Sequence, residues 1–125
     1  KNKIIEMEKK KTGKLFSFCC AAPAIIKNKN NKEIKFFEDI GTNIGLLFQI
    51  ADDLIDFKGD SKKAGKKTGK DKKKGKATLI SLLGHDNAIK YCDEIILGIN
   101  KDLKKYGFNT KNIEETLYYI LNRDK

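Results

Sequence analysis

The stretch FQIADDLID, Phe48 to Asp56, limits what this chain can fold into more than any other part of it. Gln49, Asp52, Asp53 and Asp56 stand at i, i+3, i+4 and i+7, the spacing of a single stripe on an α-helix. Leu46, Leu47, Ile50, Leu54 and Ile55 occupy the rest of the circumference. An ordinary surface helix carries an apolar stripe on a polar cylinder, and this one is nearly inverted. A helix that is apolar on most of its sides is expected to be surrounded by protein, so the three carboxylates should face an internal cleft rather than open water.

Such a stripe needs a counter-charge. Desolvating a carboxylate costs on the order of several kcal/mol even after relaxation, and like charges one helical turn apart repel. Lysines in structural salt bridges are one solution. A hard divalent cation is the better fit, because carboxylate oxygens suit magnesium, which keeps several waters and completes its octahedron with substrate phosphates. The adjacent segment from Lys58 to Lys76 holds ten lysines against Asp60 and Asp71, and so carries eight of the chain's ten net positive charges. Read as a glycine-punctuated loop, it would meet the same phosphates from the other side, and metal and lysines together would make a diphosphate site. A Walker-type phosphate loop is excluded by spacing, since Gly69 and Gly75 enclose five residues and Ala77 separates Lys76 from Thr78. Nucleic acid is a weaker reading, because the segment has neither an aromatic residue for base stacking nor an arginine for bidentate contacts to guanine.

Around this segment the pattern is helical throughout, and the fold class expected is all-α. Leu15, Phe16, Phe18, Cys19 and Ala22 recur at helical spacing as far as Pro23, which predicts a kink or break. A long central helix is expected over Glu33–Phe57. Within it Gly41 and Gly45 each cost about 1 kcal/mol relative to alanine, and close packing against another helix explains them. Asp86 is a suitable cap for a helix from Asn87 to Tyr106 ended by Gly107, and Asn109 or Thr110 can start a last one.

Cys19, Cys20 and Cys92 are read as small core residues, an odd count without a CxxC pair arguing against a disulfide or zinc framework. His85, alone in the chain, is a loop or helix-start residue. No apolar run approaches the roughly 18 residues of a membrane span, and the opening KNKIIEMEKK lacks the apolar region of a signal peptide. A cytoplasmic protein is the expectation. A start at Lys1, with Met7 the only methionine, reads as a fragment.

Four signatures now occur in one order. Phe48 to Asp56 resembles the second aspartate-rich motif, FQxxDDxxD, of the trans-isoprenyl diphosphate synthases, the polyprenyl synthetase family. Lys11-Thr12-Gly13 resembles the KT motif that precedes it, and Gly65-Lys66 and Gly75-Lys76-Ala77-Thr78 resemble the GK and GKxT signatures that follow. The ending YILNRDK, Tyr119 to Lys125, is similar to bacterial short-chain enzymes that make farnesyl or geranylgeranyl diphosphate. The resemblance covers essentially the whole chain.

The resemblance implies an all-α bundle, here the C-terminal half of the isoprenoid synthase fold. It further implies a magnesium-dependent, head-to-tail 1'-4 condensation of isopentenyl diphosphate with an allylic diphosphate. Carried over by motif, Asp52 and Asp56 would bind magnesium, and Asp53 would shape the site or bind through water. Lys11, Lys66 and Lys76 would contact the diphosphate. Thr12 and Gln49 would aim a hydroxyl or carbonyl dipole at the developing allylic cation, a role that depends on fixed orientation. A homodimer is implied for the intact enzyme.

One departure is large, since the chain has a single DDxxD and the family carries another upstream of the KT motif. Residues 1–125 are therefore expected to be the C-terminal part of one polyprenyl synthetase domain without its N-terminal half. Little or no turnover is expected from them alone, and the central helix should expose apolar surface. The alternatives are a non-catalytic helical partner subunit of a prenyl synthase and, less favoured, a basic nucleic-acid-binding protein.

Overall fold

The computed structural model describes residues 2–64 and 79–123, and within these all regular structure is helical. Helix α1 (Asn2–Glu8) runs into a π-helical turn (Lys9–Gly13) and on into α2 (Lys14–Ile26), so residues 2–26 form one continuous helical rod. Then come α3 (Asn31–Ala64), α4 (Leu79–Leu83), α5 (His85–Lys105) and α6 (Lys111–Asn122). None of these helices is long and apolar enough to cross a membrane.

The turn between α2 and α3 is built from asparagines. Asn28 adopts a left-handed conformation, φ 52°, which ends α2 while the Lys29 N–H donates to the Ala24 carbonyl at 2.9 Å. Asn30 then opens α3: its Oδ1 accepts the Glu33 N–H at 2.9 Å, and its amide donates to the Glu33 carboxylate at 2.8 Å. The first bond satisfies a backbone donor that a helix start leaves free, and the second holds the Asn30 side chain in place to accept it. At 34 residues and about 1.5 Å per residue, α3 is a rod of about 50 Å.

Two glycines bring α2 and α3 together at backbone distance. A Cβ at Gly41 would collide with the Phe16 carbonyl, and one at Gly45 would lie 2.6 Å from the Gly13 Cα. The close packing expected of this pair is what the structure shows. The opposite side of α3 supplies Leu46, Leu47, Ile50 and Leu54 to the main core, where they meet Leu79 from α4, Cys92 and Ile96 from α5, and Leu117 from α6. Farther along, Phe36 and Phe37 pack against Tyr106 and Phe108 at ring separations of 4.2 and 6.0 Å. Gly107, φ 77°, lets the chain turn between those two rings.

Several expectations are corrected. Of the kink or break expected at Pro23, the break does not occur: α2 continues to Ile26, although proline gives up the bond to the turn before it. Helix α3 extends past Phe57 to Ala64, so Lys58–Ala64 is helix rather than loop, despite the weak helix formers Gly59, Asp60 and Ser61. Residues 65–78, with the GK and GKxT signatures, lie outside the described residues. Asp86 does not cap α5; Gly84 at φ 79° holds the cap position and Asp86 falls in the first turn beside His85. Thr110 precedes α6 without a side-chain cap bond, and Asn109 Oδ1 instead accepts the Lys111 N–H at 3.1 Å.

The uncovered apolar surface also lies elsewhere than expected. Apart from Phe57, α3 keeps its large apolar side chains at least half-buried, whereas Leu15 and Phe18 on α2 are 65% and 66% exposed. Of the cysteines only Cys92 is buried; Cys19 is exposed and Cys20 half-buried. Burial, and secondarily the adjacent Cys19 thiol, push the Cys20 thiol above its ordinary range.

Two tests follow from this packing. Gly41→Ala should lower stability by about 1–3 kcal/mol, because the new methyl meets backbone that cannot rotate away. Gly98→Ala, in open space on α5, should raise it by up to about 1 kcal/mol. Thermal melts followed by circular dichroism would read both signs. With a disulfide reagent at pH 8, Cys19 should react first, Cys20 more slowly because less of it is thiolate, and Cys92 only on unfolding.

Candidate functional site

The acidic stripe lies on α3 just beyond its close approach to the π turn. Gly13, the last residue of that turn, abuts Gly45, so the Lys11-Thr12 backbone is pressed onto α3 one helical turn before Gln49. A π turn inside a longer helix is rare and is frequently found at functional sites. Thr12 is half-buried there.

Exposure along the stripe is graded. Gln49 is 6% exposed, Asp52 and Asp53 are half-buried, and Asp56 is exposed. The expected internal cleft is therefore realised only at the Gln49–Asp52 end. Beyond Leu54 the helix leaves the core that surrounds it, and Asp56 and Phe57 reach solvent.

The counter-charge for Asp52 comes from the other end of the chain. Among 27 basic residues Arg123 is the sole arginine, and its guanidinium is ion-paired to Asp52 Oδ1 across 71 residues of sequence. It lies just past the end of α6, where the backbone turns extended. Its side chain is only 18% exposed, its Cζ sits 4.1 Å above the centre of the Phe48 ring, and its Nε is buried without a hydrogen-bond partner among the described residues. Phe48 in turn packs on Phe16 of α2, the ring centres 5.6 Å apart. Gln49 donates from Nε2 to the other Asp52 oxygen at 3.5 Å, a weak contact that nonetheless orients the amide. Phe16, Phe48, Arg123, Asp52 and Gln49 thus form one continuous stack.

Phe16 also lines an apolar cavity of about 390 Å³ on the far side of that stack. Phe37, Ile40 and Ile44 of α3 form one wall, and Ile113, Leu117 and Ile120 of α6 face them. Cys20 and Thr116 are its polar contributors. The site therefore joins a carboxylate with a resident cation to a pocket that holds hydrocarbon more readily than water.

The arrangement bears on a divalent cation. No three histidine, cysteine, aspartate or glutamate side chains among the described residues converge into a complete metal cage. Magnesium does not require one, being held commonly by one or two carboxylates together with substrate phosphates. Asp52 draws a cation even within this chain, with the Arg123 guanidinium standing in, so the donor set fits that open mode of binding.

Sequence reasoning placed Gln49 and Asp52 together and set Lys11 and Thr12 on a segment that the fold brings to the same helix. Lys66 and Lys76 lie outside the described residues. It missed Arg123, Phe48 as the guanidinium's seat, and the cavity. The available signal was the choice of arginine: a planar fork suits a carboxylate and stacks on an aromatic face, which lysine does not.

Comparison with known proteins agrees with the resemblance in the motifs. The chain is 32% identical over 124 residues to farnesyl diphosphate synthase of Micrococcus luteus, covering 99% of this chain and 43% of that enzyme. It is 35% identical over 106 residues to farnesyl diphosphate synthase of Bacillus subtilis, covering 78% of this chain and 36% of that enzyme. Over 76 residues it is 36% identical to geranylgeranyl diphosphate synthase of Sulfolobus acidocaldarius, covering 61% of this chain and 23% of that enzyme. The chain thus spans less than half the length of these curated relatives. The Polyprenyl synthetase family model matches residues 1–112, and on that match the chain belongs to the polyprenyl synthetase family.

Proposed function

We propose that this chain supplies the second aspartate-rich, magnesium-diphosphate half of a trans-prenyltransferase active site. The reaction would join isopentenyl diphosphate to an allylic diphosphate, head to tail and 1'-4, giving a short-chain product such as farnesyl or geranylgeranyl diphosphate. The observation that carries the reading is the half-buried Asp52, which draws a cation from the far end of the chain and stands one aromatic stack away from an apolar cavity. Family membership supports it.

In this reading Asp52 and Asp56 hold magnesium against the allylic diphosphate, and Asp53 shapes the site or binds through water. The metal, when bound, supplies positive charge that stabilises the departing diphosphate. Lys11, Lys66 and Lys76 add point charges to the same oxygens. Thr12 and Gln49 direct a hydroxyl and an amide carbonyl at the developing allylic cation; donation of the Gln49 N–H to Asp52 leaves its carbonyl free for that role. Phe16 and the cavity walls receive the hydrocarbon chain and keep water from the cation. No covalent nucleophile is needed. The remaining half of the metal clamp belongs to a region outside residues 1–125, without which this segment would have little or no turnover. We place the intact enzyme in the cytoplasm as a homodimer.

A second reading, a non-catalytic helical partner of a prenyl synthase, draws on the exposed apolar face of α2. It leaves the mutually repelling carboxylates of α3 without a purpose.

Calorimetric titration with a non-hydrolysable allylic diphosphate analogue tests the first reading. Magnesium should tighten binding, and Asp52→Ala should weaken that magnesium-dependent binding by at least about tenfold while helicity is retained. Binding indifferent to both magnesium and Asp52→Ala would overturn the metal assignment.

A further inference from the structure

The geometry points to Arg123 as a resident counter-cation that must leave Asp52 before a divalent cation can take it. Metal loading and attachment of the α6 terminus to the acidic stripe would then be mutually exclusive. The inference rests on the reading of Asp52 as a metal ligand and adds to it a positioning residue that competes with the metal.

Three observations carry it. First, the Arg123 guanidinium already neutralises Asp52 at Oδ1, while Gln49 only leans on Oδ2 at 3.5 Å, so a metal reaching this carboxylate meets a resident cation a few ångströms away. The Gln49 contact is long and weak, whereas the guanidinium contact is an ion pair. Second, the guanidinium is not loosely placed. It is largely buried and rests on the Phe48 ring, a seat that keeps its charge close to Asp52 and poorly screened. A divalent cation on the same carboxylate would face that charge at short range, where two like charges repel before solvent or salt can separate them.

Third, the seat is imperfect. Arg123 Nε is buried with no partner among the described residues, which lowers the stability of the bound arrangement and so the barrier to its release. Arg123 follows the last residue of α6 with extended backbone, φ −64° and ψ 148°, so its side chain can swing away without unwinding a helix. An ion pair that was fully satisfied, or set in the middle of a helix, would not exchange so readily.

Because Arg123 is the only arginine, its Nε–Hε group gives a single nitrogen–proton NMR signal that reports the guanidinium directly. Asp52→Asn defines the position of that signal when the ion pair is absent. In the wild-type chain, addition of magnesium with inorganic diphosphate should move the signal toward the Asp52→Asn position. In calorimetry Arg123→Gln should bind magnesium diphosphate about three- to tenfold more tightly than wild type, since no population is withheld by the resident cation. Arg123→Lys, which keeps a charge but loses the planar fork, should fall between them and guards against a simple loss of folding.

The outcomes separate the two claims. Binding of magnesium diphosphate with an unmoved arginine signal, and no tighter binding in Arg123→Gln, overturns the exchange and leaves the half-site standing. The same arginine signal in wild type and Asp52→Asn also overturns it, because no ion pair would then exist to exchange. No binding by wild type or by Arg123→Gln, with helicity intact, removes the metal reading itself and the exchange with it.

Discussion

The rest of the structure depends on the backbone-to-backbone approach of α2 and α3 at Gly41 and Gly45. Only at residues without a Cβ can the Phe16 carbonyl and the Gly13 Cα come this near the central helix. Interiors pack closely, and a displacement of even one methyl group is transmitted to neighbouring elements. This contact sets the height of the π turn against α3, and hence the position of Lys11 and Thr12 relative to Gln49 and Asp52. It also places Phe16 where its ring meets Phe48 on one side and the cavity on the other. Two residues with no side-chain chemistry thereby align most of the chemical ones.

A second constraint is electrostatic. An acidic stripe on a helix that buries its remaining faces is tolerable only if something cationic stands against it. Among the described residues the chain meets this need at Asp52 with its single arginine. A guanidinium can be held by an aromatic face and a carboxylate at once, which lets it remain positioned while largely out of water. Asp56, in solvent, has no such demand. The stripe that looks uniform in sequence is therefore two environments, a half-buried end near the cavity and a hydrated end near the top of the helix.

The fold was largely legible because helical periodicity, asparagine turns and glycine stops are local signals. Every segment predicted as helix is one, Gly107 ends α5 as expected, and the paired glycines of α3 have the packing role their cost suggested. The misreadings came where local preference is permissive. The stretch after Phe57 carries the charge and the glycine of a loop, yet the helix already under way continues to Ala64. Pro23 gives up one bond to the preceding turn, a local loss that leaves α2 running on to Ile26. Leu15 and Phe18 are apolar and periodic yet exposed, since periodicity shows which face is apolar and not whether anything covers it.

The sequence by itself determined the helical class, the register of Gln49, Asp52, Asp53 and Asp56 on one stripe, and the family, because each is written in short-range spacing. Tertiary structure alone decided how far each carboxylate is covered, which cation answers Asp52, and where an apolar cavity opens. Those depend on residues far apart in the chain, Asp52 with Arg123 and Phe16 with Ile120, brought together by helix packing that no local spacing encodes.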